Sequence, residues 1–320
     1  MKTFALVLLC IFSALNFLFL VLWGICELLV SISLKRKSLV GKIVERESKK
    51  YNNLYRVDHN WWNKFTLEKT TVFTNDGLKL YPRILYQEKK TNKVMVIIHG
   101  YCASYLDMNL YAELFYNMGY NLVMTENRSH GDSEGKFIGM GYLDRLDMLN
   151  VLDMVVQKFG KNCEIDIFGL SMGATTVCML SGEQLPTNVK HLISDCAFAN
   201  VYDEFRYAYE HNTHLPARGL VAILNIYARI RCGYSIKQAD ATRFVQNCKV
   251  PILFVHGDRD GFVPFANMNK LYSAAPEGLR FKHAFKDAGH GESLPKHTEE
   301  YAELMTNFLS NNFEKLSKKE

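Results

Sequence analysis

The chain opens with a long apolar run that no charged residue interrupts from Phe4 to Cys26, and after a single glutamate it stays apolar to Leu34. A run of this length can cross the hydrocarbon core of a bilayer as a helix. A cleavable signal peptide has a shorter apolar core and a small-residue cleavage site, which only Ser31 and Ser33 imitate here. The pattern therefore predicts an uncleaved transmembrane anchor over the first 34 residues, with a signal peptide or an interfacial helix as the alternatives.

From about residue 70, short β-rich runs alternate with helical patterns, which is typical of a mainly parallel sheet covered by helices. The predicted strands are Thr70–Thr74, Leu78–Leu85, Val94–His99, Asn121–Thr125, Glu164–Gly169, Lys190–Asp195, Val250–His256 and Arg280–Ala284. The predicted helices include Tyr142–Phe159, Met172–Gly182, Phe265–Ala274 and Thr298–Phe313. The pattern predicts an α/β domain with an eight-stranded sheet.

One long interval between Ala199 and Cys248 has no strand pattern and is rich in tyrosine and leucine. Open α/β sheets bind ligands at the carboxyl ends of their strands. We therefore expect a small helical cap over that edge, at about residues 200–248. The predicted organisation is an anchor over 1–34, a basic juxtamembrane segment and connector over 35–69, and an α/β domain over 70–320 that includes the cap.

Charge is concentrated just after the apolar run. Residues 35–50 contain seven Lys or Arg and two Glu, which equals the net charge of +5 of the whole chain, so residues 51–320 have no net charge. Nucleic-acid binding by the main domain therefore lacks an electrostatic basis. Positive charge on this side of the single predicted span predicts that the main domain lies in the cytoplasm. The basic segment is expected either to contact anionic lipid headgroups or to be a solvated linker.

The cysteine spacing and the short motifs of the sequence bear on whether the protein binds a metal or a cofactor. The eight cysteines contain no C-x-x-C pair, and their spacing fits neither a zinc site nor a compact disulfide framework. Free thiols favour a reducing compartment. The sequence contains no phosphate-binding glycine loop, metal-ligand cluster or nucleotide fingerprint. We therefore expect no cofactor and no metal.

The motif with the most specific chemistry runs from Gly169 to Gly173, Gly-Leu-Ser-Met-Gly, directly after an apolar strand and before a helical pattern. A serine on such a tight strand-to-helix turn needs neighbours without side chains two positions away on either side. Ser171 is therefore the predicted nucleophile, Gly169 and Gly173 form the elbow, and the Met172 amide is a predicted oxyanion donor.

A second oxyanion donor is expected from the loop after the predicted strand Val94–His99. Gly100 permits the turn, and the Tyr101 amide is the predicted donor, while His99 is expected to have a structural role. Cys102 in the same loop is an alternative nucleophile, but it lacks the elbow.

A serine nucleophile needs a base and an acid that orients the base. Asp260 follows an apolar strand and is the predicted acid, with Asp195 as the alternative, whereas Asp258 is expected to cap the turn or pair with Arg259. His290, flanked by glycines between the last predicted strand and helix, is the predicted base. The other histidines, His256 among them, are expected to be structural or solvated.

Several stretches together resemble an α/β hydrolase, and the closest likeness is to bacterial membrane-anchored serine hydrolases related to serine aminopeptidase-like esterases and lipases. They are His99-Gly100-Tyr101 with Met108, Arg128 to Gly135, Gly169 to Gly173, Asp195-Cys196, Pro251 to Pro264, and Gly289-His290-Gly291. The order serine, aspartate, histidine is the one expected for this fold. The chain departs from the family pattern at Glu126 and Ser129, where relatives usually carry Asp and Gly, and at Ala174, where a second Gly is usual.

The expected activity is cleavage of carboxylic esters through an acyl-enzyme, with water resolving the intermediate. The apolar cap and the predicted contact of the N-terminal helix with membrane lipid favour a small-molecule substrate with a lipophilic acyl or alcohol group. Alternatives on the same triad are an aminopeptidase or amidase, which Asp203, Glu204 and Glu210 would suit, a thioesterase or an acyltransferase. A catalytically idle scaffold that binds a partner at the membrane is the alternative of another class.

Overall fold

The computed structural model describes residues 2–35, 41–42, 46, 54–55 and 61–316. Much of the predicted basic juxtamembrane segment, including Arg36, Lys37, Lys49 and Lys50, lies outside the described residues. The first element is a long helix, α1 (Lys2–Ser33). Its apolar stretch Thr3–Ser33 has a mean hydropathy of 2.8 and is long and apolar enough to cross a membrane.

The main domain is built on an eight-stranded sheet with helices on its faces, which confirms the predicted α/β architecture. Its strands are β1 (Glu68–Lys69), β4 (Arg83–Leu85), β5 (Lys93–Ile98), β6 (Asn121–Met124), β7 (Glu164–Leu170), β8 (Val189–Asp195), β9 (Ile252–Gly257) and β10 (Arg280–Phe285), in the spatial order β1-β4-β6-β5-β7-β8-β9-β10. The pairs β1–β4 and β4–β6 are antiparallel, and the other pairs are parallel. The carboxyl ends of the parallel strands therefore meet at one edge.

The helices follow in chain order as α2 (Asn109–Asn117), α3 (Asp144–Phe159), α4 (Met172–Leu180), α5 (Val201–Thr213), α6 (Arg218–Arg231), α7 (Thr242–Val245), α8 (Ala266–Ala274), α9 (Ser293–Lys296) and α10 (Thr298–Leu309). Helices α5 to α7 occupy the interval between β8 and β9 where a cap is expected. The start of α5 is fixed locally, because the side chain of Asn200 accepts hydrogen bonds from the backbone N–H groups of Tyr202 and Asp203.

Two predicted strands at the start of the domain differ from those observed. Thr70–Thr74 forms only β2 (Val72–Phe73), which pairs with β3 (Lys79–Leu80) in a separate two-stranded sheet. The predicted strand Leu78–Leu85 is divided into β3 and β4 at Pro82, whose nitrogen has no proton to donate to a ladder. Strand β1 was not predicted, because Glu68 and Lys69 carry no apolar pattern.

The carboxyl-terminal end of α1 is packed into the main domain. Leu29, Val30 and Leu34 are buried in the same hydrophobic core as β5, β7 and α4. The backbone continues this attachment, because the N–H of Ile138 donates to the carbonyl of Leu34 at 2.8 Å. The helix is thus exposed along most of its length and buried only in its last turns.

Candidate active site

Ser171 lies on a strained turn between β7 and α4. Its φ of 56° and ψ of −116° fall in a region that non-glycine residues seldom occupy, so the turn is strained. Close packing holds it: a Cβ at Gly169 would overlap the backbone carbonyl of Gly173, and a Cβ at Gly173 would overlap the carbonyl of Ile98 in β5. The two glycines are therefore needed for the sharp turn that presents Oγ at the carboxyl edge of the sheet.

The structure brings the three predicted catalytic side chains together. The Oγ of Ser171 lies 2.9 Å from Nε2 of His290, and Nδ1 of His290 lies 2.7 Å from Oδ2 of Asp260. A carboxylate only accepts, so Nδ1 carries the proton and Nε2 is free to accept the proton of the serine hydroxyl. This is the geometry in which a histidine acts as general base toward a serine.

Asp260 is buried and held from several sides. Its Oδ1 accepts hydrogen bonds from the backbone N–H groups of Phe262 and Val263 at 2.9 and 2.8 Å. Burial alone raises the pKa of a carboxyl, but the electrostatic interaction with His290 and hydrogen bonds from His256 and His290 outweigh it and hold the pKa of Asp260 below its usual value. Asp260 is therefore ionised, as the orienting acid of a triad must be.

His256 lies beside the triad and contacts Asp260, a contact that the sequence did not predict. Its Nε2 lies 3.0 Å from the carbonyl oxygen of Val263 and 3.2 Å from Oδ2 of Asp260. Since Nε2 donates to that carbonyl, His256 steadies both the loop and the carboxylate. A lone histidine within an apolar strand gives no sequence signal for such a contact.

Asp258 does not cap its own turn. Its carboxylate accepts from the N–H of Asp287 at 2.7 Å, and this hydrogen bond connects the loop that carries Asp260 to the loop that carries His290.

The loop after β5 lies against the nucleophile. A Cβ at Gly100 would be 3.9 Å from the Oγ of Ser171, so this backbone passes directly beside it. His99 is buried and its pKa is lowered to about 4 by burial, so the ring is neutral. Its Nε2 accepts from the N–H of Asn127, and its Nδ1 donates to the carbonyl of Gly100, which fixes the turn that carries Tyr101.

The Met172 amide belongs to the first turn of α4, where an α-helix leaves its N–H groups without intrahelical partners. The positive end of the helix dipole also lies there. Tyr101 and Met172 thus flank Ser171 on two backbone segments. Donors in this arrangement suit an oxyanion that forms on a carbonyl under attack.

The two departures after β6 have visible structural effects. Ser129 has a φ of 63°, the left-handed conformation that favours the glycine usual at this position, and its Oγ donates to the carbonyl of Phe137. The carboxylate of Glu126 accepts from the N–H of Asp132 at 2.6 Å and occupies the space beside the α-carbon of Gly131. These residues shape the loop and do not touch the triad in the part of the chain that the structure describes.

Asp195, the alternative acid, lies apart from the base. Its Oδ2 accepts from the hydroxyl of Tyr301 at 2.8 Å, and burial raises its pKa to about 7.

The thiol of Cys196 lies close to Asp260 and His290, with the three donor atoms within 4.8 Å of one another. Burial raises the pKa of that thiol well above its usual value, with the nearby Asp195 and Asp260 adding to the effect. A protonated thiol beside an engaged His–Asp pair makes a poor metal site.

The cap contributes one carboxyl to the surroundings of the triad. Glu204 on α5 is buried, and its Oε1 has no hydrogen-bond partner among the described residues. Burial raises the pKa of Glu204 to about 8, with the negative charge of Asp260 adding to the effect. The hydroxyl of Tyr207 on the same helix donates to the carbonyl of Gly261 at 3.1 Å, so α5 is connected to the loop that carries Asp260.

A groove of about 250 Å³ opens at the opposite edge of the sheet, beside the amino ends of β5, β7 and β8. Its polar groups are already engaged: Asp166 accepts from the hydroxyl of Tyr120 and from His191, and the second nitrogen of His191 contacts Asn311. This groove contains none of the triad residues, and the hydrogen bonds of His191 within it connect β8 with β7 and with the segment after α10.

Comparison with known proteins agrees with this geometry at the level of the fold. The profile of the family described as "Serine aminopeptidase, S33" matches residues 89–223. The protein YqkD of Bacillus subtilis is 26% identical over 221 residues, which cover 69% of this chain and 72% of YqkD. The lysophosphatidylserine lipase ABHD12 of Xenopus tropicalis is 27% identical over 206 residues, covering 61% of this chain and 51% of that protein.

Among solved structures, the esterase Pf2001 of Pyrococcus furiosus superposes with a TM-score of 0.63 at 20% sequence identity. The match covers 78% of this chain and 92% of the esterase. At this identity the likeness establishes the fold, and the chemistry has to be argued from the chain's own residues.

Proposed function

We propose that this chain, which has the α/β-hydrolase fold, is a membrane-anchored serine hydrolase that cleaves carboxylic esters with a lipophilic acyl or alcohol group. The observation that carries the proposal is the hydrogen-bonded series from Ser171 through His290 to Asp260, centred on a strained serine. Strained backbone of this kind is concentrated at active sites, which supports a catalytic role for Ser171.

In the proposed reaction, the Oγ of Ser171 attacks the ester carbonyl while Nε2 of His290 takes its proton. The backbone N–H groups of Tyr101 and Met172 donate to the oxygen that becomes negative. Asp260 keeps His290 in the tautomer that can accept and stabilises it once it is charged. His290 then gives the proton to the leaving alkoxide, and a water molecule resolves the acyl-enzyme with His290 again as base.

Apolar surroundings support a lipophilic substrate. The ring of Phe262 is about half exposed and lies 4.9 Å from the ring of His290. Tyr202, Phe205 and Tyr209 of the cap pack against the hydrophobic core. The printed name of ABHD12, a lysophosphatidylserine lipase, is consistent with a lipid-derived ester at a related site.

Anchoring by α1 is supported by the apolarity and exposure of residues 3–25, of which Trp23 makes a ring contact with Tyr227. Lys35 and Lys42 immediately after the helix favour a cytoplasmic catalytic domain under the positive-inside rule.

The test uses the full chain in phospholipid vesicles with p-nitrophenyl esters of graded acyl length, beside Ser171→Ala. We expect kcat/KM to rise with acyl length and to fall to background in Ser171→Ala, because that variant lacks the attacking atom. A preference for charged, hydrophilic esters would contradict the substrate assignment, and full turnover by Ser171→Ala would contradict the mechanism.

Glu204 favours a second candidate, an aminopeptidase, because this buried carboxyl has an Oε1 without a hydrogen-bond partner among the described residues, which offers an acceptor to the free amine of a peptide. Aminoacyl p-nitroanilides distinguish the two functions. Turnover of these amides that exceeds ester turnover and is lost in Glu204→Gln would favour the peptidase. Ester turnover that Glu204→Gln leaves intact would favour the esterase.

A further inference from the structure

The cap helix α6 exposes an apolar stripe. Ile223, Ile226 and Ile230 are 41%, 64% and 68% exposed, whereas Val221 and Leu224 on the other face are fully buried. A spacing of three and four residues places the three isoleucines along one side of the helix. Single exposed apolar residues are ordinary, but three along one side of a helix indicate a surface that contacts a membrane or another protein in the functional state.

This stripe lies beside the N-terminal helix. The hydroxyl of Tyr227 donates to Oε1 of Glu27 at 2.7 Å, and Nε of Arg231 donates to the same oxygen at 2.7 Å. Around the axis of α6, Ile223 is about 40° and Ile230 about 60° from Tyr227, both on the side away from Arg231. The stripe therefore borders the line along which α6 contacts α1.

The contact also sets the level of α6 relative to a bilayer. The ring of Trp23 lies edge-on to the ring of Tyr227, with centroids 5.4 Å apart. The exposed apolar stretch from Phe4 to Leu22 is about 28 Å long as a helix, close to the thickness of a hydrocarbon core. Trp23 then stands at the end of the span, where tryptophan and tyrosine are favoured by the lipid headgroup region.

Positive charge lies along the other side of the stripe. Arg218 and Arg229 are exposed, and they project about 80° and 60° from Ile226, away from Tyr227. An apolar face bordered by arginine is the signature of a helix that lies in a membrane interface, where the cations meet anionic headgroups.

We propose that α6 lies in the interfacial layer of the membrane, with Ile223, Ile226 and Ile230 directed into the acyl region beside α1. The proposal rests on the proposed membrane anchoring. Since α6 belongs to the cap, this contact holds the cap on the membrane surface, where lipid-derived esters are found.

Tryptophan quenching by acyl-brominated phosphatidylcholine, in vesicles that also contain phosphatidylglycerol, tests the proposal with the full chain. The wild-type chain reports on Trp23, and Trp23→Phe gives the baseline, because Trp61 and Trp62 are buried. Ile226→Trp in the Trp23→Phe background reports on α6. Lys161→Trp in that background is the matched control, since Lys161 is exposed near the opposite edge of the sheet.

We expect the brominated lipid to quench Ile226→Trp about as strongly as it quenches Trp23, and to leave Lys161→Trp at the baseline. Quenching of Trp23 with none at Ile226→Trp would overturn the docking of α6 and leave the anchor standing. No quenching at either position would overturn both. If Ile226→Trp is not quenched and Ile226→Asp converts a dimer into a monomer, the stripe is an interface between copies of the chain, which also overturns the proposal.

Discussion

At the residue scale, the proposed chemistry depends on three side chains that are far apart in the chain and adjacent in the fold. Ser171, Asp260 and His290 each lie in a turn directly after a strand, and parallel strands bring such turns to one edge. The contact of His256 with Asp260 could not be predicted, because it depends on how the loop after β9 folds back over that strand. The positive φ angles of Ser129 and Ser171, which are among several at non-glycine residues of this chain, are likewise fixed by tertiary packing.

The role proposed for Asp260 leads to a prediction in Asp260→Asn. The variant leaves the shape of the site unchanged but removes the charge and allows the wrong tautomer of His290. We expect kcat to fall by about four orders of magnitude while KM changes little. Steady-state kinetics on a p-nitrophenyl ester measures this.

Asp258→Asn in the same loop is the matched control, because an amide oxygen can still accept from the N–H of Asp287. Its kcat should stay within a few-fold of the wild-type value. Equal losses in the two variants would mean that the loop is merely disturbed, and the assignment of Asp260 would fail.

The buried carboxyl of Glu204 makes stability depend on pH. Its pKa in the folded chain is raised to about 8 by burial, above the value of about 4.3 in an unfolded chain, so the folded state holds a proton that the unfolded state has lost between these two pH values. The contribution of Glu204 to stability is therefore complete at low pH and is lost as the pH rises toward 8, by up to about 1.4 kcal/mol per pH unit.

Glu204→Gln removes this dependence. We expect the variant to gain stability relative to the wild type from pH 5 to pH 8, as measured by urea denaturation at each pH. Glu210→Gln is the control and should follow the wild type, because Glu210 of α5 is only half-buried and a glutamine oxygen can still accept from the N–H of Ala217. A constant difference between Glu204→Gln and the wild type over this range would contradict the raised pKa.

At the scale of elements, the close approach of α4 to β5 depends on Gly173. A Cβ there would overlap a backbone carbonyl of Ile98, which cannot move without breaking the sheet. We expect Gly173→Ala to lower the free energy of unfolding by more than about 2 kcal/mol and to abolish turnover. Gly219→Ala is the control, since a Cβ at this position in α6 meets nothing within 4 Å and alanine favours a helix. Equal stability of the two variants would contradict this account of the elbow.

The parallel pairing of the later strands could be expected, because short apolar strands alternate with helical patterns along the chain. The antiparallel edge could not, because β1 and β4 are held by backbone pairing between short segments, with Thr70 donating to the carbonyl of Pro82 beside them. Side-chain periodicity carries no information about strands of two or three residues.

The last turns of α1 behave as part of the hydrolase domain. Leu29, Val30 and Leu34 are buried, and the carbonyl of Ser33 accepts from the hydroxyl of Tyr101 at 2.8 Å. The sequence predicted the apolar helix, but contacts between segments so far apart along the chain leave no pattern in it.

Two shortened chains test this attachment. A chain that begins at residue 36 loses three buried apolar side chains, whose burial is worth about 2 kcal/mol each. It also loses the carbonyl of Ser33, which accepts the hydrogen bond from the hydroxyl of Tyr101. We expect it to unfold at much lower urea and to turn over esters more slowly than a chain that begins at residue 24, which keeps these contacts. Equal midpoints and equal kcat for the two chains would show that α1 is only a tether.

At the scale of the whole molecule, helix α1, helix α5 and the loop after β5 meet at one place. The hydroxyl of Ser33 lies 2.6 Å from that of Tyr209 on α5, while its carbonyl accepts from Tyr101 beside the nucleophile. The molecule is therefore organised so that the proposed anchor supports the side of the domain on which the proposed chemistry takes place.

The measurement that tests the central claim most directly is the reaction of the full chain with a fluorophosphonate, followed by peptide mapping with mass spectrometry. We predict one phosphonyl group on Oγ of Ser171, none on Cys102 or Cys196, and no adduct in a Ser171→Ala chain that keeps the circular dichroism of the wild type. An adduct on another residue, or undiminished labelling of Ser171→Ala, would contradict Ser171 as the nucleophile.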